Sequence, residues 1–317
     1  MRALISIVAV AASILLVSAG WLFVQHGVYG FSILFHRAAT TWANVKPDDP
    51  RLSPAVRLSL TGAVGVPGQL SWSEPRPGFE VAELPILFGS KIMDHLNLAR
   101  IDPTKWRFSV RSDSTGSRTV DQWMSETGAA LVVNGSYFDG NGRPDTPFLS
   151  EGRALGPAVY QSSHGAFVAL SSDAHVVDLR TESWMDAFHG MQNALVSYPL
   201  LLDAEGGNRV TPSKWLAGRS FVGQDKEGRI IIGTTVDASL TLANFAAVLR
   251  ASPLDLETAL NLDGGPVACQ SINLGDYKRR SCGPEEVQVG EGTVRLLQPL
   301  IGSGNWTLPV ILAVFPK

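Results

Sequence analysis

The chain opens with an uninterrupted apolar segment that limits where the rest of it can fold. Arg2 is the only charged residue before a run without ionisable side chains, which extends from Ala3 to Val24. A helix of this length can cross a bilayer, and the positive charge in front of it favours a cytoplasmic N-terminus. We therefore expect residues 3–24 to contact a membrane and the rest of the chain to be exported.

Two interpretations of this segment remain open. The length of the run favours an uncleaved signal anchor, whereas Val17-Ser18-Ala19 has the small residues of a signal-peptide cleavage site. Under either interpretation residues 1–24 are a targeting segment. The remaining chain is expected to be periplasmic or otherwise extracytoplasmic, anchored to the inner membrane or secreted.

The composition indicates a folded chain with many turns. Apolar residues make up 45% and charged residues 17% of the 317 residues, which is enough apolar material for a sizeable core. The 31 glycines and 19 prolines favour short strands and turns over a helical bundle. The net charge of −3 offers no basic surface, so nucleic acid is not expected as a partner.

Proline and glycine also suggest a domain boundary. Turn-forming residues recur up to Gly78, so residues 25–78 are predicted to be a tether and an irregular lead-in. Residues 79–317 are then expected to form one domain, which fits the usual size of a single hydrophobic core.

Beyond this boundary, short strands and short helices alternate. Apolar patterns predict strands at residues 106–111, 130–133, 165–170, 175–179, 221–222, 229–234 and 259–263. Helical spacing predicts helices after Thr119, over residues 182–191, and from Thr241 to about Arg250. Hairpins mixed with strand–helix–strand units indicate an α+β fold, with a mixed, largely antiparallel sheet and helices packed on it.

Two of the predicted strands end in similar polar sequences. One continues as Asn134-Gly135-Ser136-Tyr137-Phe138-Asp139, and the other as Asn261-Leu262-Asp263-Gly264-Gly265. Buried Asn and Asp side chains need hydrogen-bond partners, and glycine lets the backbone approach a ligand closely. Each strand exit could therefore line a polar site, or it could be a simple turn, because Asn-Gly and Asp-Gly are common in turns.

Three single residues are further candidates. Arg219, at the entrance of a predicted strand, could bind phosphate or carboxylate, or be an exposed strand-end charge. Asp237 could be a further acid near the site or part of a turn before a helix. His164 could be a general acid or a structural histidine.

The two cysteines, Cys269 and Cys282, are close in sequence. Export permits a disulfide between them, and two buried free thiols are the alternative. With no histidine beside them they make a poor zinc site. No metal and no cofactor are expected.

Taken in order, these segments resemble the phosphodiester glycosidase family. The resemblance covers about residues 80–315, and it rests on motifs that occur in family order. They are Arg100-Ile101-Asp102-Pro103, Val133 to Asp139, Tyr198-Pro199-Leu200-Leu201, Gly218-Arg219 through the turn at 225–228, and Thr241-Leu242 before Asn261-Leu262-Asp263-Gly264-Gly265.

The resemblance implies hydrolysis of a sugar-1-phosphodiester, between the anomeric carbon and the phosphate, in a cell-envelope or exopolysaccharide component. It implies Asp263, Asp139 and Arg219 as catalytic residues, with two carboxylates acting on the sugar and a guanidinium on the phosphate. The expected substrate-binding residues, of which Asp237 comes from the residue pattern alone, are Asn134, Tyr137, Asn261, Gly264, Gly265 and Asp237.

The sequence departs from the family pattern after the second strand exit. Family members often continue with another Gly and then Ser, whereas Pro266 and Val267 follow here. A hydroxyl contact to the substrate is therefore expected to be missing. The departure keeps open an alternative function, a non-catalytic glycan-binding or polysaccharide-assembly protein on the same fold.

Overall fold

Antiparallel strands dominate the architecture that follows the N-terminal helix. The computed structural model describes residues 2–38, 40–113, 118–161, 163–283, 286–299 and 306–317. The helices are α1 Arg2–Ala38, α2 Pro54–Leu60, α3 Val120–Thr127, α4 Trp184–Phe188 and α5 Leu242–Ala251. The strands are β1 Thr40–Val45, β2 Val66–Pro67, β3 Ser73–Arg76, β4 Phe79–Phe88, β5 Lys91–Ile101, β6 Trp106–Ser112, β7 Leu131–Asn134, β8 Phe148–Ser150, β9 Arg153–Leu155, β10 Gly165–Ala169, β11 Ala174–Asp178, β12 Asn193–Ser197, β13 Leu200–Leu202, β14 Trp215–Ala217, β15 Ser220–Asp225, β16 Ile230–Thr235, β17 Leu256–Asn261, β18 Cys269–Asn273, β19 Lys278–Cys282, β20 Glu286–Val289, β21 Val294–Pro299 and β22 Val310–Pro316.

The described strands form four sheets, in which neighbouring strands run antiparallel. Sheet 1 has the order β1-β21-β20-β14, and sheet 2 has the order β11-β10-β12-β8-β9. Sheet 3 has the order β13-β17-β15-β16-β5-β4-β2, with β3 also paired to β4. Sheet 4 has the order β19-β18-β7-β22-β6. The predicted α+β class, with mostly antiparallel strands and a few helices, is confirmed.

Helix α1 contains the apolar segment. Its stretch Ser6–Val24 is long and apolar enough to cross a membrane, and its side chains do not pack against the domain. The helical conformation fits a membrane anchor and a signal sequence equally well, so both interpretations of residues 1–24 stay open.

The segment expected to be an irregular lead-in contains regular elements. Strand β1 pairs with β21 along its whole length, and β2 and β3 pair with β4. Leu52 and Val56 are buried in one apolar cluster with Leu216, Val287 and Leu296 of sheet 1. Residues 40–78 therefore pack on the domain, because these two side chains cover an apolar sheet face that would otherwise meet water.

The largest apolar cluster joins sheets 2, 3 and 4. Phe79 of β4, Phe108 of β6, Phe148 of β8 and Phe167 of β10 are fully buried within it. The rings of Phe108 and Phe167 meet edge to face with centroids 5.6 Å apart, and each buried Phe contributes about 1.5–3 kcal/mol. A core shared by three sheets holds strand ends from different sheets close together.

Two of the three predicted helices have the expected boundaries. Thr119 forms a capping box with Gln122, and α3 ends at Gly128, whose φ of +66° suits glycine. The Thr241 side chain caps α5. The third helix, predicted over residues 182–191, is shorter, because the chain leaves the helical conformation at His189 and Gly190 follows with φ of +76°.

Candidate active site

The two polar strand exits meet, although they come from different sheets. Strand β7 of sheet 4 ends at Asn134, and β17 of sheet 3 ends at Asn261. The Asn134 Nδ2 atom donates to the Asp263 carbonyl at 2.6 Å. The Asp263 backbone N–H donates to the Gly135 carbonyl at 3.0 Å. These bonds place both exits on one polar site.

Asn134 joins three backbone segments at this point. Its Oδ1 atom accepts a hydrogen bond from the Cys269 backbone N–H at 3.1 Å, while its Nδ2 is bonded to the Asp263 carbonyl. The side chain is buried. Asn134, predicted to bind substrate, is thus engaged at both ends of its amide and positions the strand exits.

Asn261 orients the hydroxyl of Tyr137. The Asn261 Nδ2 atom donates to the Tyr198 carbonyl at 3.0 Å and to the Tyr137 hydroxyl oxygen at 2.9 Å. A carbonyl can only accept, so the amide orientation is fixed. The Tyr137 hydroxyl accepts from Asn261 and must direct its own proton elsewhere. Burial raises the pKa of Tyr137, so the phenol is a neutral donor.

Three stacked rings form one wall of the site. The centroids of Tyr137 and Tyr198 lie 4.2 Å apart with an interplanar angle of 16°, and those of Tyr198 and His164 lie 4.6 Å apart at 19°. The Gln161 backbone N–H donates to His164 Nδ1 at 3.2 Å. Burial lowers the pKa of His164, so the ring is neutral and its proton resides on Nε2.

Asp263 is the most perturbed acid of the site. Burial raises its pKa to about 8, and the charges of Asp145 and Glu286 contribute in the same direction. One opposing effect is the hydrogen bond that the Gly264 N–H donates to Asp263 Oδ1 at 2.8 Å. Asp263 is therefore protonated at neutral pH.

Asp139 lies at the tip of a loop and faces solvent. Its Oδ1 atom accepts hydrogen bonds from the backbone N–H groups of Asn141, at 2.8 Å, and Arg143, at 3.0 Å. The loop then folds back, with a bridge between Phe138 and Pro144. Asp139, predicted to be catalytic, is used to stabilise this turn.

Asp145, at the base of the same loop, is the acid that the fold brings to the ring wall. Its backbone N–H donates to the Tyr137 carbonyl, and the Tyr198 hydroxyl lies 3.2 Å from its Oδ2 atom. Burial raises the pKa of Asp145. The Arg143-Pro144 turn signal before it is the sequence feature that could have indicated the loop reversal.

Arg219 is buried and is held by backbone carbonyls. Its Nε atom donates to the Leu240 carbonyl at 3.2 Å, and its Nη2 atom donates to the Trp215 carbonyl at 2.9 Å. Within the described part of the chain, Nη1 makes no hydrogen bond, and a Cβ added at Gly264 would lie 3.4 Å from it. Burial lowers the pKa of Arg219. The free Nη1 points to the second strand exit and can bind an anion.

Gly264 and Gly265 contribute close packing. Their N–H groups are occupied, by Asp263 Oδ1 and by the Gly218 carbonyl respectively. Gly265 has φ of +70°, and a Cβ there would lie 3.1 Å from Glu286 Oε2. The two glycines, predicted to bind substrate, bring Asp263, Arg219 and Glu286 together because they lack side chains.

Glu286 is an acid of the site that the sequence did not reveal. It lies on β20 opposite Ala217 of β14. Burial raises its pKa, and the Arg219 charge opposes this shift. No motif surrounds it in the sequence, because its position depends on the pairing of β20 with β14.

Asp237 lies in a different acidic group. Its backbone N–H donates to the buried Asp94 Oδ1 atom at 2.9 Å. Burial raises its pKa, and His95 opposes the shift. Its recorded contacts are thus with Asp94 and His95, and its contact with the substrate stays a prediction.

Several polar atoms around the site keep unused hydrogen-bonding capacity. Four buried side-chain oxygens have no partner among the described residues: Asn261 Oδ1, Asp145 Oδ1, Ser136 Oγ and Ser197 Oγ. Buried polar groups are normally satisfied, so such a group of exceptions is typical of a functional site. In the described ranges, no three Asp, Glu, His or Cys residues are placed to hold a metal ion.

A disulfide closes the side of the site next to Asn134. Cys269 and Cys282 are bonded with an S–S distance of 2.10 Å and join the neighbouring strands β18 and β19. The predicted disulfide is therefore present. The disulfide fixes the position of Cys269, whose backbone N–H group donates to Asn134 Oδ1.

Comparison with known proteins identifies a family for the part of the chain that carries the site. The family model described as phosphodiester glycosidase matches residues 127–292, which include both strand exits, Arg219 and Glu286. A comparison with curated proteins gave no match.

Two solved structures are similar to this chain. The catalytic domain of zebrafish N-acetylglucosamine-1-phosphodiester alpha-N-acetylglucosaminidase aligns with a TM-score of 0.51 at 15% identity, over 88% of this chain and 89% of that one. A hypothetical protein from Synechocystis aligns with a TM-score of 0.49 at 13% identity, over 79% and 64% respectively.

Proposed function

Because the chain belongs to the phosphodiester glycosidase family, we propose that it is a hydrolase that cleaves a sugar-1-phosphodiester between the anomeric carbon and the phosphate. The observation that carries this proposal is the position of Arg219 Nη1, which makes no hydrogen bond within the described residues and would lie 3.4 Å from a Cβ at Gly264, the residue after Asp263. The Asp263 carboxyl at the same strand exit has a raised pKa. The pair offers a proton and a positive charge, which are the two things that a phosphate leaving group needs.

Arg219 binds the phosphodiester. Its Nε and Nη2 are held by the carbonyls of Leu240 and Trp215, so the guanidinium plane is fixed before substrate arrives. A preorganised donor stabilises the charge that develops on the departing phosphate without further reorganisation. Nη1 is the donor that faces the substrate.

Asp263 acts as the general acid. With a pKa of about 8 it holds a proton at neutral pH, and it passes this proton to the phosphate oxygen as the bond to the anomeric carbon breaks. Water adds its hydroxyl to the anomeric carbon, and its remaining proton is taken up by a carboxylate of the site, so that Asp263 is reprotonated for the next cycle. The products are the free sugar and a phosphate monoester. Asp145 and Glu286, which share the site, are the further carboxylates available for the sugar side of the reaction.

The ring wall orients the sugar. Tyr137 has a hydroxyl proton that is not directed at Asn261, and His164 has a proton on Nε2. Both are neutral donors suited to sugar hydroxyls, which both donate and accept.

The substrate is a component of the cell envelope or of an exopolysaccharide. The support for this is the apolar stretch Ser6–Val24 of α1, which fits an anchor or a signal sequence and so an extracytoplasmic location. In that compartment the Cys269–Cys282 disulfide is stable.

The test compares two arginines that donate to backbone carbonyls, in the full-length protein in detergent. UDP-N-acetylglucosamine and the methyl ester of N-acetylglucosamine 1-phosphate are the probes, and released sugar is measured. Arg219→Gln is expected to reduce turnover by about 10²-fold or more. Arg279→Gln is the control, because Arg279 is partly buried and is also bonded to two carbonyls, those of Ala82 and Leu98.

Thermal unfolding of both variants separates loss of fold from loss of function. Equal loss of turnover in the two variants, at equal stability, would contradict the role of Arg219. Absence of turnover by the wild type on both phosphodiesters and on a wider panel of sugar 1-phosphate esters would contradict the proposed reaction.

A further inference from the structure

Sheet 1 has an apolar face and an aromatic face. Side chains alternate between the two faces of a strand. Leu216, Val287 and Leu296 belong to the apolar cluster that Leu52 and Val56 cover. The neighbouring positions therefore point to the opposite side. They are Trp215, Gln288 and Arg295, which are paired in register across β14, β20 and β21.

Two tryptophans meet on this opposite side. The rings of Trp42 and Trp215 are edge to face, with centroids 5.5 Å apart and an interplanar angle of 87°. Trp215 is 38% exposed. The Arg295 guanidinium lies 5.2 Å from the Trp42 ring centroid and donates from Nη1 to Gln288 Oε1 at 3.0 Å. We term this group of side chains the aromatic platform; its members are Trp42, Trp215, Gln288 and Arg295.

The aromatic platform continues into the candidate active site along the same two strands. Ala217 and Glu286 are opposite each other, two residues from the pair Trp215 and Gln288. Two residues of a strand span about 7 Å. Glu286 approaches Gly265 in the candidate active site. The aromatic platform therefore begins next to that site, at the following pair of same-face residues on β14 and β20.

We propose that the aromatic platform is a subsite for a glycan chain that extends from the sugar phosphate bound in the site. Its role as a substrate subsite rests on the proposed function. Trp rings offer flat apolar surfaces to the C–H faces of pyranose rings, and they are rigid, so little conformational entropy is lost on binding.

The polar members of the platform favour a glycan over a protein partner. Gln288 and Arg295 lie beside the rings and can bond sugar hydroxyls. A protein-binding patch would have a contiguous apolar centre of several hundred Å², whereas here polar and aromatic side chains alternate across three strands.

The test measures glycan binding and turnover separately, with full-length protein in detergent. Wild type, Trp42→Ala, Trp215→Ala and the control Trp184→Ala are applied to an array of neutral and phosphate-linked oligosaccharides. Trp184 is a suitable control because it is partly buried and packs edge to face on Phe188 of α4. Turnover is measured with UDP-N-acetylglucosamine, a short probe.

Both platform variants are expected to lose binding to the oligosaccharides by about tenfold or more, which corresponds to about 1.4 kcal/mol. Trp42→Ala should lose much more oligosaccharide binding than turnover of the short probe. The two losses should differ by about tenfold or more. Trp184→Ala should bind as the wild type does. Trp215→Tyr, which keeps an aromatic ring, should restore most of the binding if Trp215→Ala folds poorly.

Equal binding by the wild type and both platform variants, or no oligosaccharide binding by the wild type, would overturn the proposal. A failure of the proposed function is distinguishable from this. In that case the short probe is not hydrolysed, while binding to oligosaccharides still depends on Trp42 and Trp215.

Discussion

The two strand exits carry similar residues but use them in different ways. At the β7 exit, both ends of the Asn134 amide bond to the backbone, and Asp139 stabilises an exposed turn. At the β17 exit, Asn261 bonds to the Tyr137 hydroxyl and keeps a buried Oδ1 that has no partner among the described residues, and Asp263 is a partly buried acid with a raised pKa.

The difference arises from where the donors lie. The Asp139 carboxylate has two backbone N–H groups of its own loop within reach, at Asn141 and Arg143, so it is satisfied locally. Asp263 receives one such bond, from Gly264, and its other surroundings are buried and acidic. The pKa of a carboxyl group rises when its surroundings solvate the ionised form poorly, and such a group can donate a proton near neutral pH.

The sharpest test of this comparison is a matched pair of substitutions. Asp263→Asn should reduce turnover of a sugar-1-phosphodiester by about 10²–10⁴-fold, because a general acid is removed. Asp139→Asn should retain wild-type turnover, since its side chain serves a turn. Steady-state rates of the two variants, measured on the same phosphodiester, check the prediction. Similar losses in both would show that the two exits do not differ in function.

Stability should depend on pH through Asp263. Its folded pKa of about 8 lies above the unfolded value of about 3.9. Between these values the folded state holds a proton that the unfolded state has released, so the free energy of unfolding falls as pH rises, by at most about 1.4 kcal/mol per unit. Asp263→Asn should remove this contribution to the slope, while Asp94, whose pKa burial raises to about 7, keeps its own. The variant should be more stable than the wild type at pH 8.

Urea unfolding at pH 5, 6.5 and 8 measures this effect, and Asp139→Asn is the control that should keep the wild-type slope. Parallel curves for the wild type and Asp263→Asn would contradict the raised pKa. Turnover should decline above about pH 8 as Asp263 loses its proton.

Asn134 should matter more for folding than for chemistry. Asn134→Ala leaves the Cys269 N–H and the Asp263 carbonyl without their partner. Each unsatisfied buried group costs about 1–3 kcal/mol, so the variant should unfold several degrees below the wild type. Turnover by the fraction that remains folded should fall far less than in Asp263→Asn. A large loss of turnover at unchanged stability would instead assign Asn134 to the substrate.

The smallest effect is expected at the loop tip. Asp139→Ala removes two hydrogen bonds in an exposed turn, so we expect a loss of about 0.5–1.5 kcal/mol in the free energy of unfolding. Urea unfolding and the rate on the phosphodiester are the measurements. A drop in rate without a drop in stability would bring Asp139 back as a catalytic residue.

Local features of the fold were predictable from the sequence. Thr119 and Thr241 cap helices because their hydroxyls bond to backbone N–H groups three residues ahead, and that pattern is visible in the sequence. The turn at residues 225–228 likewise joins β15 and β16. These features depend on neighbouring residues alone.

Features that depend on distant partners were not predictable. Glu286 reaches the site because β20 pairs with β14, and Trp42 reaches the aromatic platform because β1 pairs with β21, some 250 positions later in the chain. Asp145 was not among the predicted site residues, because the loop reversal at the Phe138–Pro144 bridge is what brings it to the ring wall. A hydrophobic pattern indicates that a strand exists, but it does not identify the strand beside it.

The bond between Asn134 and Asp263 joins residues that are 129 positions apart in the chain. During synthesis, the first exit can emerge and form its turn long before the second exists, and β22, which flanks β7, is later still. Contacts of such long range form late in folding. The candidate active site is therefore expected to be complete only when nearly all of the domain has assembled.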